Sequence, residues 1–271
     1  MMRPIPVLMY HHVNPNKGDM ITVTPEVFSS HLECIKDSGY KTLTLGQLRG
    51  YIDGEYDPGS KAVVLTFDDG YLDNFYFAFP LLKAYGAHAA IFIATGWVDK
   101  ASGEGADKAG MEDEFKKAAS THAEIKSLIE EGAFSRVIMD WDMVKEMAGS
   151  GLVEFGSHTV THASCDSIST EEVQAELRDS KKRIEEELKR PCEYLCWPRG
   201  RFNGGSAAAA KGAGYRGLFT TGHGVVKKGS DPFFIKRIVV KGAPGWFQKR
   251  LRIYTNPLMA DFYLKIKGKV I

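Results

Sequence analysis

The sequence has almost no net charge: 35 Lys and Arg stand against 34 Asp and Glu, giving +1 at pH 7. That balance lacks the basic excess of a nucleic-acid-binding protein, and no nucleic-acid partner is expected. Cysteine is scarce. Cys34, Cys165, Cys192 and Cys196 form no paired C-x-x-C motifs, so neither a disulfide framework nor a zinc ribbon is expected, and the thiols should be reduced. No run of 18 or more apolar residues occurs, which argues against a membrane-spanning helix. The opening "MMRPIPVLMYHH" carries two prolines and meets histidine too early for a signal peptide. The expected location is therefore the cytoplasm or the cytoplasmic face of the inner membrane. Internal repeats and low-complexity tracts are also missing.

What the chain does have is alternation. Short apolar runs, such as "AVVLTF" from Ala62 and "AAIFIA" ending at Ala94, are separated by helical patterns. "STEEVQAELRDSKKRIEEELKRP" opens on a Ser169–Glu172 capping box and stops before Pro191. Strands alternating with helices imply parallel strands and right-handed crossovers. Seven or eight such units favour an α/β barrel, with chemistry at the carboxyl ends of its strands. The barrel is expected over residues 1–242. Residues 101–138 interrupt the rhythm and read as an inserted helical segment, a lid over the cleft or a partner surface. Residues 243–271 read as a basic, aromatic extension. From Lys236 onward nine Lys or Arg face one acid, Asp261, so this end is +8 and the rest −7. Such a tail suits an anionic membrane surface, with Trp246 and Phe247 dipping in, or else forms a terminal helix packed on the barrel.

Three motifs end apolar strands. "LTFDDG" places Asp68 and Asp69 side by side before Gly70. This is either a turn or a pair of carboxylates that needs a cation to stay ionised together. "FGSHTVTH" offers His158 and His162 four residues apart. Two imidazoles and a carboxylate suit zinc or another first-row divalent ion, and three protein ligands leave a position open for water. "CWPRGRFN" brings Trp197 as an aromatic wall, Arg199 as a cation that could orient a carboxylate, and backbone N–H groups near Gly200.

Together, "TFDDG", "SHTVTH" and "WPRG" resemble the motifs of the polysaccharide deacetylase family, the NodB-homology or carbohydrate esterase 4 group. Arg199 stands where that family more often has an aromatic residue. The resemblance implies a distorted (β/α)7-type barrel and metal-dependent removal of an acyl group from a sugar. Carried over, it makes Asp69, His158 and His162 ligands of one divalent metal, zinc first, with cobalt, nickel or iron as alternatives. It makes Asp68 the general base and implies an oxyanion donor at the backbone N–H of Gly70 or Tyr71. The early "VLMYHHV" resembles the circularly permuted poly-N-acetylglucosamine deacetylase branch, whose acid histidine follows the first strand. That role falls on His11, with the late His223 as the fallback. Side-chain alternation turns His12 the other way, toward packing or a supporting role behind the site. Arg237, in "FIKRIVV", is a candidate support for Asp68.

The expected activity is thus removal of an N-acetyl group from a sugar or glycan. One rival is a deacylase or deformylase of a lipid- or nucleotide-linked sugar at the membrane face. A second is a glycan-binding protein without catalysis, against which every expected catalytic position is filled.

Overall fold

In a computed structural model of the chain, residues 3–16, 19–104, 115, 119–241 and 244–267 are described. Parts of the predicted insertion and the last four residues of the tail lie outside them. The longest strand of the front half, β5 (Lys61–Phe67), is "KAVVLTF". Its β-branched and aromatic residues suit a pleated, fully covered position. Six further strands join it in a closed ring: β1 (Val7–Tyr10), β6 (Ala89–Ile93), β7 (Val153–Ser157), β8 (Tyr194–Cys196), β9 (Gly217–His223) and β10 (Ile235–Val239). Each pairs in parallel with the next, and β1 closes the ring by pairing with both β10 and β5. A short strand, β4 (Tyr40–Thr42), pairs with the first half of β5, where β1 does not reach. This is the distorted seven-strand α/β barrel expected from the motifs. A separate pair, β2 (His12–Val13) and β3 (Thr22–Val23), sits beyond the end of β1.

Alternation along the strands sorts side chains into two cores. Val7, Val64, Phe92, Cys196, Phe219 and Ile235 fill the barrel's interior. Leu8, Leu65, Ile91, Leu195, Trp197 and Leu218 face outward, into the larger core under the helices. The helices are α1 (Pro25–Asp37), α2 (Leu45–Asp53), α3 (Phe79–Tyr85), α4 (Thr95–Gly103), α5 (His122–Glu130), α6 (Trp141–Gly149), α7 (Thr170–Leu188) and α8 (Gly204–Gly212), and α2 differs from the rest in packing on the inner core, through Leu48 and Tyr51. All but α3 and α4 start on a side-chain cap. Ser169 and Glu172 form the capping box of α7, and Thr24 caps α1 with Pro25 at its first position.

The C-terminal region decides between the two expectations for "WFQKRLRIY". α9 (Pro244–Tyr254) is packed on the barrel, not held out for a lipid surface. Phe247 is fully buried and stacks on His31 of α1, with ring centroids 3.9 Å apart. Leu251 and Tyr254 lie in the same core, and Thr255 bonds Tyr40 at 3.0 Å. The helix after it, α10 (Pro257–Lys267), is different: Leu258, Met259, Phe262 and Ile266 are all exposed.

Candidate active site

Every motif residue lies at the carboxyl end of a barrel strand. Asp68 and Asp69 follow β5, His158 follows β7, and His11 follows β1. Consecutive residues of a strand point to opposite faces, so two adjacent carboxylates cannot share a cavity unless the backbone turns. It turns here: Asp69 has φ 74 and Gly70 has φ 79. His162 is also left-handed, at φ 60. Non-glycine residues in this region cost on the order of 1 kcal/mol each and gather at functional sites. At Gly70 a Cβ would also stand 2.8 Å from Ile93 Cγ2.

Three ligand-type atoms converge. His158 Nε2 stands 3.3 Å and His162 Nε2 3.2 Å from Asp69 Oδ1. Yet Asp69 Oδ1 is buried with no hydrogen-bond partner. The His158 ring explains why. Its Nδ1 bonds the Cys196 carbonyl oxygen at 2.7 Å and must donate the proton there. In the neutral ring that a metal ligand must be, Nε2 then turns a lone pair toward Asp69. Two such acceptors at this distance suit a cation between them. Ligands at about 2.0–2.1 Å around a tetrahedral ion sit about 3.3 Å apart, which is the spacing observed. The donor set therefore fits a zinc-like divalent ion. Burial would raise the Asp69 pKa, but positive charge on the two imidazoles outweighs it and holds it well below the carboxylate range. Burial would likewise lower the His158 pKa, but Cys196 and Asp69 outweigh that and hold it up, so the pocket favours a positive charge beside Asp69.

A second trio, Asp68, His158 and Cys196, also lies close enough to hold a metal. Its carboxylate is already committed. Arg237 donates from Nη1 to Asp68 Oδ1 at 2.7 Å and from Nη2 to Oδ2 at 2.8 Å. The guanidinium itself is fixed by the Thr220 carbonyl, Thr66 Oγ1 and Cys196 Sγ. Burial pushes the Cys196 thiol up, away from the thiolate a metal would need. Burial would also raise Asp68, but the Arg237 charge outweighs it and keeps the carboxylate ionised. Arg237 is 1% exposed, so it belongs to this site and not to the surface.

A cavity of about 380 Å³ opens over these groups. His11, Tyr71 and Arg199 line it together with Asp68, Asp69 and both metal-type histidines. His11 Nε2 lies 3.8 Å from Asp68 Oδ2, and burial pulls its pKa below the usual value against the pull of Asp68 and Asp69. Arg199, at φ 56, is exposed and donates to Ser164 Oγ. His223 does not line this cavity and bonds the Tyr254 hydroxyl at 3.0 Å. His12 faces away from His11, as alternation requires, and stacks on Tyr71 at 3.9 Å.

The expectation for Trp197 is overturned. Trp197 is fully buried and stacks on Phe202, outside the cavity. Its parity is that of Leu195, which faces the helices, whereas Cys196 faces the interior. The aromatic wall is instead Trp97, at the start of α4, 5.0 Å from the His162 ring. Sequence reasoning missed both Trp97 and Cys196. Period-two counting along "EYLCW" would have found the second. For Trp97 the signal was its place just past the end of β6, where the other site residues also cluster.

A family model described as polysaccharide deacetylase matches residues 55–218. The chain belongs to the polysaccharide deacetylase family. Its members are hydrolases acting on C–N bonds, and they are generally metal-dependent. Among relatives, YxkH of Bacillus subtilis, assigned by name to the polysaccharide deacetylases, is 29% identical over 241 residues, covering 89% of this chain and 72% of its own. The poly-β-1,6-N-acetyl-D-glucosamine N-deacetylase of Escherichia coli K12 is 26% identical over 269 residues. That match covers 88% of this chain but only 36% of the larger protein. The fold is shared with the Streptococcus pyogenes deacetylase PplD, solved with acetate, at TM-score 0.75 and 24% identity, over 95% of this chain and all of that one. It is shared also with IcaB from Ammonifex degensii, at TM-score 0.72 and 21% identity, over 93% and 97% of the two chains.

Proposed function

We propose that this protein removes N-acetyl groups from an amino-sugar glycan, using one divalent metal held by Asp69, His158 and His162. The observation that carries the reading is the unpartnered, buried Asp69 Oδ1 with His158 Nε2 and His162 Nε2 3.3 and 3.2 Å away, and the Arg237-held Asp68 beside it in one cavity. A bound divalent ion would supply Lewis acidity, lowering the pKa of water and polarising an acetyl carbonyl. The remaining work falls to the chain. Asp68, ionised and fixed by two bonds from Arg237, accepts the proton of the attacking water. The Gly70 N–H is occupied by the Asp68 carbonyl oxygen at 3.0 Å, which leaves the Tyr71 N–H to meet the developing oxyanion. His11 is neutral at rest because it is buried, and it sits 3.8 Å from Asp68. A proton collected on Asp68 can pass to His11 and on to the departing amine. Trp97 offers an apolar face for a sugar ring.

The test is acetate release from a panel of β-1,6- and β-1,4-linked N-acetylglucosamine oligomers and lipid-linked N-acetyl sugars. At least one should be hydrolysed. Asp68→Asn should keep one metal per chain and lose at least a hundredfold in kcat. No acetate from any member, or full turnover by Asp68→Asn, would refute the reading.

The exposed face of α10 favours a further reading, that the enzyme works at an anionic membrane on a lipid-linked glycan. Leu258, Phe262 and Ile266 recur every four residues and so share one face, with Leu258 80% and Phe262 68% exposed. Lys249, Arg252 and Lys265 are exposed nearby in the chain, and Asp261 is already paired with Lys227. An apolar stripe with basic neighbours matches an anionic bilayer. The protein should float with phosphatidylglycerol vesicles and not with neutral ones, and Leu258→Asp/Phe262→Asp should sediment with the unbound fraction. Equal recovery on both vesicle types would count against it.

A further inference from the structure

His12 has work that packing does not explain. It is 1% exposed and both ring nitrogens are spent. Nδ1 bonds Asp73 Oδ2 at 2.7 Å, and Nε2 bonds His122 Nδ1 at 3.0 Å. Asp73 is itself buried, and its other oxygen accepts from Asn74 at 3.1 Å. Asn14 reaches both Asp73 Oδ2 and the Ser120 carbonyl, just before α5. A carboxylate behind an imidazole fixes the ring's orientation and raises its basicity. Asp73 thus orients His12, and His12 orients His122. The last ring is the first residue of α5, in the segment inserted into the barrel, and it is one wall of the active-site cavity.

Three further residues of α5, Lys126, Ile129 and Glu130, line the same cavity. With His122 they recur at helical spacing on one face. Because His122 Nδ1 is held by His12, any ligand in the cavity meets its Nε2. A sugar hydroxyl can donate or accept, so it suits either tautomer of that ring.

We propose that His122, held in place through His12 and Asp73, is a substrate-binding residue that hydrogen-bonds a hydroxyl of the glycan, and that α5 forms a saccharide subsite beside the acetyl-cleaving groups. His12 and Asp73 are positioning residues. This rests on the glycan reading above.

The probe is a β-1,6-linked N-acetylglucosamine tetramer, titrated calorimetrically and by NMR into the zinc-loaded Asp68→Asn protein. Losing one hydrogen bond of this kind costs about three- to tenfold in affinity. His122→Ala and His122→Phe should each weaken binding by that factor. His122→Gln, whose amide reaches toward the same point, should recover most of it. His12→Phe keeps a ring against Tyr71 but drops both bonds, so it should weaken binding as His122→Ala does. The double variant His12→Phe/His122→Ala should be no worse than either single one, because the two act as one chain. The His122 Hε1 resonance of the parent protein should shift on saturation, which needs no variant to fold. Undiminished binding by His122→Phe, or an unmoved His122 resonance at saturation, would overturn the proposal while leaving the deacetylase reading intact. A tetramer that fails to bind the parent at all would overturn the proposal too, while the deacetylase reading stands or falls separately on the acetate-release panel.

Discussion

At the scale of single residues, the site is decided by a few backbone and hydrogen-bond choices. The left-handed φ of Asp69 lets two adjacent carboxylates face one cavity, and Arg237 then gives them different tasks. Arg237→Leu would leave Asp68 as a buried, uncompensated charge. Breaking such a pair costs about 3–5 kcal/mol, so the urea midpoint should fall sharply, and Arg237→Lys should recover only part of it. An unchanged midpoint would show that the pair is not holding the strand ends together. The two tryptophans make a paired prediction. Trp97→Ala removes a cavity wall and should raise KM about tenfold, the worth of one good aromatic contact. Trp197→Phe alters a side chain outside the cavity and should change the melting temperature more than KM. The opposite pattern would restore Trp197 to the substrate. This contrast also marks what the sequence allowed. "WPRG" was legible as a motif at a strand end, but which way its tryptophan points depends on strand parity. His122 was not legible at all, because it meets His12 across 110 residues of chain.

At the scale of elements, α1 and α9 are joined through a buried imidazole. His31 stacks on Phe247, bonds the Tyr10 hydroxyl, and has Nε2 without a partner. Burial pulls its pKa down to about 3. A folded value below the unfolded 6.5 means that its stabilisation is full above pH 6.5 and is lost as the pH falls toward 3. At pH 5 the loss is about 2 kcal/mol. His31→Phe should therefore flatten the decline in stability between pH 7 and 5 relative to the parent, measured by urea unfolding at each pH. A parallel decline would mean that His31 is solvated when folded. The helix starts were written plainly in the sequence, as at Ser169–Glu172. The docking of α9 was not, since "WFQKRLRIY" is equally good as a membrane helix and as a packed one. Tertiary burial of Phe247, Leu251 and Tyr254 decided it.

At the scale of the whole molecule, the barrel is what makes a site from residues as distant as His11 and Arg237. Seven parallel strands deliver their carboxyl ends to one rim, so motifs scattered along the chain meet in one cavity of about 380 Å³. That arrangement could be anticipated from strand–helix alternation and the position of each motif after an apolar run. The closing contact could not. β1 and β4 share one edge of β5, a division of hydrogen bonds that no local pattern encodes. The account as a whole stands on a divalent ion at Asp69, His158 and His162. It is tested most directly by stripping the protein with a chelator and titrating zinc back while following acetate release. Activity should be absent in the stripped protein, rise linearly and level off at one zinc per chain, with His158→Ala and His162→Ala failing to recover. Full activity in the metal-free protein would contradict the account.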